Sequence, residues 1–284
     1  MRVAAAQYCA SNDILQNQDT IARLISQASS QSVSLICFPE CANLIAKNKQ
    51  ELQEKAEPAD NSDTFKRIKT LAQKYNIIIS LGSLLLRQSD SKKILNRSFL
   101  VDINGECIAT YDKIHMFDAN VGDGKIYRES EDFQAGEKII TRKTSIAHIG
   151  LSICYDVRFP QMYRKMAQAG AEIIVTPAAF TAKTGKAHWH VLQRARAIET
   201  GSFIIAAAQS GTHADGRQTY GHALIVNPWG EIIAEAPTPE AELVLADIEG
   251  VVIKLKEAHR DLTRRWAEGP ANLKRFEFIQ TGDL

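Results

Sequence analysis

An apolar stretch, Gly150-Leu151-Ser152-Ile153, runs straight into Cys154, and a helical pattern begins shortly afterwards. A cysteine at such a corner lies near the free backbone N–H groups of a helix N-terminus. Those groups favour the thiolate, which attacks carbonyl carbon, and they can also hold a developing oxyanion. A nucleophile needs a base and a charge stabiliser. Phe38-Pro39-Glu40 ends another apolar run and places a carboxylate at a strand's C-terminal edge, where open α/β sheets build their sites. Tyr111-Asp112-Lys113-Ile114-His115 presents a lysine after a hairpin pattern. Taken singly, Cys154 also reads as a small buried hydrophobe, and Glu40 and Lys113 as solvated loop charges. Their combination points to acyl chemistry.

These residues must be positioned by alternating strands and helices. Residues 3–8 read as a strand, and residues 12–31 as a helix capped by Asn12, with apolar residues at mostly three- and four-residue steps. Residues 33–38 and 77–84 read as strands, with a helix over 62–74 between them. Residues 98–103 and 107–111 flank Asn104-Gly105, a type I′ hairpin signature. A second ribbon is expected around 144–153. Helices follow at 161–169 and 187–199, and strands at 172–176, 203–209, 223–226, 231–234 and 242–248. The pattern predicts one domain over residues 1–284, with a mixed sheet or two sheets covered by helices.

Composition narrows the class. The chain has 284 residues, long enough to bury a core without disulfide or metal staples. Its 34 basic and 33 acidic residues leave a net charge of +1, which argues against a dedicated nucleic-acid or membrane-surface protein. Five cysteines are an odd number for a disulfide framework, so reduced thiols and a cytoplasmic setting are expected, with four of them packed. No stretch approaches the ~20 apolar residues of a membrane span.

Strand-Phe-Pro-Glu40, Tyr-Asp-Lys113-Ile-His and Ile-Cys154-Tyr-Asp-Val-Arg-Phe-Pro, in this order and at these separations, resemble the nitrilase superfamily of carbon–nitrogen hydrolases. Pro177-Ala178-Ala179-Phe180, Ala187-His188-Trp189, Tyr220-Gly221-His222 and Asn227-Pro228-Trp229-Gly230 add to the resemblance. It implies an α/β four-layer αββα sandwich of two mixed sheets, dimerised through a helical face. It implies that Glu40, Lys113 and Cys154 form a catalytic triad and that Glu129 is a second glutamate, with Glu131 the rival in a shifted register. Lys113 and the N–H of Tyr155 would stabilise the oxyanion, and Glu40 would shuttle protons. Tyr155, Arg158, Phe180, Thr181 and His188 are the candidate substrate-binding residues, with Lys183 and Lys186 as further cations. Arg158 fits a substrate carboxylate or an ion pair shaping the nucleophile corner.

The resemblance implies cleavage of a primary amide on a small carboxylate-bearing substrate, with release of ammonia. The deaminated glutathione amidase branch is the nearer, and the ω-amidase branch second. Other aliphatic amide or N-carbamyl hydrolases, and a non-enzymatic interaction protein, are the alternatives. No cofactor, metal, nucleic acid or membrane partner is expected. His190 stands where these branches more often have glutamate. The stretch 251–284 departs from the usual tail and is expected as a helical or extended segment at a dimer interface.

Several patterns are decoys. Asp118, Asn120 and Glu129 match a calcium loop at three positions, but Asp123 stands where glycine is required. Gly124-Lys125 lacks the other residues of a phosphate loop. His188 and His190 are two apart on an expected helix and face different ways. Cys37 and Cys41 have the wrong spacing for a redox pair.

Overall fold

Strand Arg2–Tyr8 shows how the layers form. Successive side chains in a strand point to opposite faces. Val3 and Ala5 enter a core shared with Ile149, Leu151, Ile174 and Ile204. Ala4 and Ala6 enter a second core with Ile21, Leu24, Ile25 and Ala28 of helix Ile14–Ser30 and Ile68 and Ala72 of helix Asp63–Tyr75. One face of this sheet thus meets another sheet, and the other face meets helices. The computed structural model describes residues 1–122, 126–238 and 242–249. Asp123, the Gly124-Lys125 pair and the expected tail 251–284 lie outside the described residues.

The first sheet runs in the order Gln218–Tyr220, Ala208–Thr212, Arg2–Tyr8, Leu35–Cys37, Ile78–Arg87, Ile94–Val101 and Cys107–Asp112. Leu243–Asp247 also pairs, antiparallel, with Arg2–Tyr8. The second sheet runs Ile140–Lys143, His148–Leu151, Ile173–Val175, Phe203–Ala206, Leu224–Val226 and Ile232–Glu235. Both mix parallel and antiparallel pairs. Helices Pro160–Gln168 and Ala182–Thr200 cover the second sheet. The order helix, sheet, sheet, helix is the expected αββα arrangement.

Local departures have identifiable causes. Asp13, not Asn12, caps the first helix, accepting from Leu15 N at 2.9 Å, while the Asn12 amide is held by Glu51 at 2.8 Å. The expected strand 203–209 is two strands: Phe203–Ala206 belongs to the second sheet and Ala208–Thr212 to the first. An unbroken apolar run hides such a crossing. Gly105 has φ +77°, but Asn104 has no positive φ. The Gly105 N–H bonds to Asp102 O at 3.0 Å, which gives a type I turn closed by a bulge glycine instead of type I′. The expected ribbon at 144–153 is formed instead by Ile140–Lys143 and His148–Leu151. The helix expected from residue 187 starts at Ala182, capped by Thr181. Gly185 is tolerated there because the ring of Tyr220 occupies the space a Cβ would fill. Helix Lys49–Lys55, too short for a clear period, was not expected.

One glycine bears on the site. The pairing of Ile78–Arg87 with its neighbour slips between Leu81 and Leu84, and Gly82 lies in that bulge. A Cβ at Gly82 would fall on the carbonyl oxygens of Phe38 and Pro39, directly before Glu40. The next residue, Ser83, accepts from Cys41 N at 2.9 Å and so holds the far side of the same turn. Gly82→Ala is expected to destabilise the fold by at least about 3 kcal/mol, because backbone cannot yield as a side chain can. Urea unfolding measures the loss, and an unchanged midpoint would contradict the close approach.

Candidate functional site

Four strand ends converge on one cavity. Glu40 follows Leu35–Cys37, Lys113 follows Cys107–Asp112, Cys154 follows His148–Leu151 and Ala179 follows Ile173–Val175. The cavity has a volume of about 340 Å³. Both sheets contribute, and the crossing strand ties them together. Ala178 N bonds Ala207 O at 2.9 Å, Gln209 N bonds Ala178 O at 2.8 Å, and Gln209 Nε2 bonds Glu40 O at 3.0 Å.

Lys113 is fully buried, with both its neighbours in charge contact. Its Nζ lies 2.9 Å from Glu40 Oε1 and 2.8 Å from each oxygen of Glu129. Asn96 Nδ2 donates to Glu40 Oε1 at 2.9 Å, and Ala179 N donates to Glu40 Oε2 at 2.9 Å. Phe117 N donates to Glu129 Oε2 at 2.6 Å. The structure therefore places Glu129, not Glu131, beside Lys113; Glu131 is exposed and paired with Arg128. A buried charge is stable only when paired and hydrogen-bonded, and each group here meets that condition.

Cys154 has φ +49°, a left-handed conformation that costs free energy for a residue other than glycine. Its N–H bonds Pro177 O at 2.8 Å. It opens a 3-10 turn, Cys154–Arg158, and the α-helix follows only from Pro160. Asp156 fixes this corner. Its carboxylate accepts from Ile153 N at 2.8 Å, Tyr111 OH at 2.6 Å and His115 N at 3.1 Å. The segment bearing Lys113 is thereby bonded to the segment bearing the thiol.

The thiol's ionisation differs from the sequence expectation. Burial pushes the Cys154 pKa well up, the negative charge of Glu40 adds to this, and Lys113 opposes it without prevailing. At neutral pH Cys154 is a thiol, not the thiolate expected from a helix N-terminus. Burial also raises Glu40, but the charge and hydrogen bond of Lys113, with the Cys154 thiol and the Asn96 amide, carry its pKa below the ordinary value. Burial would lower Lys113, yet Glu129 and Glu40 lift it well above the ordinary lysine value. A protonated thiol thus sits beside an ionised carboxylate and a fixed ammonium. Those are the kinds of group, in contact, that acyl transfer through a thiol requires.

The Carbon-nitrogen hydrolase family model matches residues 2–257. The chain belongs to that family. A Synechocystis sp. protein named deaminated glutathione amidase is 39% identical over 236 residues, which are 82% of this chain and 86% of that protein. A Schizosaccharomyces pombe protein named probable hydrolase nit2 is 37% identical over 268 residues, 92% of this chain and 96% of the relative. The crystal structure of the C. elegans NitFhit protein superposes with a TM-score of 0.87 at 35% identity, covering 94% of this chain and 65% of that one.

Of the expected substrate contacts in this carbon–nitrogen hydrolase, Tyr155, Arg158, Phe180 and Thr181 line the cavity. His188 does not. Its Nδ1 lies 3.2 Å from Arg158 Nη2, so it braces the guanidinium from outside. Lys183 is bonded to Gly122 O at 2.6 Å, and neither it nor Lys186 lines the cavity. Cys37 and Cys41 are buried as expected and Cys41 lines the cavity, but Cys9 and Cys107 are exposed instead of packed. Asn96, Asp156 and Arg217 were not anticipated. Asp156 stands inside the quoted Ile153–Pro160 motif, but its partners Tyr111 and His115 lie across the fold. Asn96 and Arg217 carry no local signal.

Away from the cavity, His190 joins His222 and Glu235. Glu235 Oε1 lies 2.8 Å from His190 Nε2 and 2.6 Å from His222 Nδ1. These types could hold a metal ion, and their ligand atoms lie within 4.8 Å of one another. The shared oxygen instead sits between the two rings in hydrogen bonds, so His190 finds its own carboxylate.

Because Glu40 is lowered on folding, its ionised form stabilises the protein above the ordinary carboxylate range. That contribution is lost as pH falls through the lowered value. Lys113 contributes fully below the ordinary lysine value and loses its contribution only as pH rises past its raised one. Lys113→Met is expected to cost about 3–5 kcal/mol at pH 7, since it strands two buried carboxylates. The cost should shrink toward pH 5 as those groups take up protons. Urea unfolding at both pH values checks this, and a penalty that grows on acidification would contradict it.

Proposed function

We propose that the protein is a thiol amidohydrolase acting on a small amide that bears a carboxylate. The observation that carries this reading is the contact of Lys113 with two carboxylates beside a protonated buried thiol. Glu40 takes the Cys154 proton as sulfur attacks the amide carbon. The tetrahedral oxyanion falls to Lys113 and the N–H of Tyr155, which lies in the first turn of a 3-10 helix where N–H groups have no intrahelical partner. Glu40 then protonates the departing amine, leaving a thioester on Cys154. Water, deprotonated by Glu40, hydrolyses it and restores the thiol. Glu129 keeps Lys113 charged and aimed. Sulfur attacks only while its proton is leaving, so a high thiol pKa suits a site with an ionised base in contact.

The names of the relatives favour deaminated glutathione as substrate, and the ω-amide of a 2-oxo acid is the second reading. The two differ in leaving group. Glutathione's γ-linked amide is substituted, so its acyl transfer expels cysteinylglycine; an ω-amide expels ammonia. The expectation of ammonia release therefore applies to the second substrate alone. Free cysteines support a reducing, cytoplasmic setting. Among the described residues no helix is long and apolar enough to cross a membrane. Val191 and Ile198 are exposed on helix Ala182–Thr200, and exposed Trp229 precedes Gly230, which touches Ile198. That apolar group supports a homodimer through this helical face.

Cys154→Ala is expected to lower kcat/KM for amide cleavage at least about ten-thousand-fold. In the unaltered protein kcat/KM should be higher for deaminated glutathione than for 2-oxoglutaramate, read as cysteinylglycine and ammonia respectively. Activity surviving in Cys154→Ala would overturn the mechanism, and the reverse preference would move the substrate to the ω-amide.

A further inference from the structure

The cavity holds more positive charge than the proposed reaction uses. Its lining includes six cationic side chains, Lys47, Lys49, Lys113, Arg128, Arg158 and Arg217, against the acidic Glu40, Glu129, Asp132 and Asp215. Lys113 is taken by Glu40 and Glu129, Lys49 by Asp132, and Arg128 by Glu131. The guanidinium of Arg158 faces the rings of Tyr155 and Phe180 at 5.6 and 5.5 Å and touches His188, with no carboxylate in that set.

Arg217 is held but not satisfied. It sits in the turn between strands Ala208–Thr212 and Gln218–Tyr220. Its N–H donates to Asp215 Oδ1 at 2.8 Å, and its carbonyl accepts from His213 N at 2.9 Å. The backbone at Arg217 is therefore fixed. Its Nε is buried and has no hydrogen-bond partner. Asp215 Oδ2 is 3.5 Å from that nitrogen, close enough for charge attraction but longer than an ordinary N–H···O hydrogen bond. An arginine stays ionised, and this one lines the cavity with about a quarter of its side chain accessible, so its charge is open to a ligand although its Nε is not. Arg217 lines the same cavity as Glu40, Cys41 and Cys154.

We propose that Arg217 is a specificity-determining residue that binds a second substrate carboxylate, so that the cavity takes an amide with two carboxylates, one on Arg158 and one on Arg217. This rests on the amidohydrolase reading above and narrows its substrate class. The two guanidinium groups come from different sheets, Arg158 beside the nucleophile corner and Arg217 from the turn of the first sheet. A planar five-donor fork on each wall suits a carboxylate at each end of an elongated ligand. Deaminated glutathione carries two carboxylates, whereas a 2-oxo ω-amide carries one. Arg217 does not touch the reacting atoms, so its effect belongs in binding.

The test is calorimetric titration of Cys154→Ala protein with deaminated glutathione and with its C-terminal amide, which lacks one carboxylate. The dianion is expected to bind at least about tenfold more tightly. Adding Arg217→Gln should remove that preference and leave monoanion binding within about twofold, and Arg217→Lys should restore part of it. In the active protein, Arg217→Gln should raise KM for the dianion about 10- to 100-fold with kcat nearly unchanged. Equal weakening of both ligands, or of neither, would overturn the proposal. So would an absence of dianion preference before Arg217 is altered, a result that stands even if the variant fails to fold. Failure of the active protein to cleave either ligand would count against the amidohydrolase reading instead, and the binding preference would still decide the role of Arg217.

Discussion

One buried ammonium organises the site. Lys113 bonds Glu40 and Glu129 at once, and neither carboxylate could remain ionised in that interior without it. Its removal would strand like charges close together, which is why the surrounding donors matter. Asn96, Ala179 and Phe117 each spend a hydrogen bond on one of the two carboxylates. The balance also fixes proton positions. With Glu40 lowered and Cys154 raised, the proton rests on sulfur and the ionised carboxylate lies beside it.

Such a network works only if its parts are held to within fractions of an ångström, and the fold achieves this by joining two sheets at the site. The chain crosses from one sheet to the other at Ala207, and the residues on either side bond the Ala178 segment and the Glu40 turn. Asp156 performs the corresponding task on the opposite side, linking the Cys154 corner to Tyr111 and His115 around Lys113. The strained backbone at Cys154 persists because these bonds over-determine it.

The layers and the candidate triad were readable in the sequence for different reasons. A continuous apolar run such as Val3-Ala4-Ala5-Ala6 announces a strand buried on both faces, and helical spacing announces Ile21, Leu24 and Ile25. Glu40, Lys113 and Cys154 were legible because three separated motifs resemble one family. Distances between them were not, since nothing local relates a hairpin lysine to a cysteine on another sheet. The split at Ala207 was hidden for the same reason: every residue around it is apolar. The thiol's protonation was misjudged because helix-terminus amides are visible in a sequence, whereas the burial and the neighbouring Glu40 charge that outweigh them are set by packing. Nothing in the sequence around Arg217 singles it out, and only its place in the cavity wall draws attention to it.

The account turns on Cys154 forming a covalent acyl intermediate with Glu40 as its proton carrier. Intact-mass spectrometry of the unaltered protein, acid-quenched during turnover of deaminated glutathione, tests this directly. A transient mass increase equal to the acyl half of the substrate is expected, mapped to Cys154, and it should be missing in Glu40→Gln protein, which lacks the base for the attack that forms it. Absence of any adduct in the unaltered protein, or an adduct on Cys9, Cys37, Cys41 or Cys107, would contradict the account.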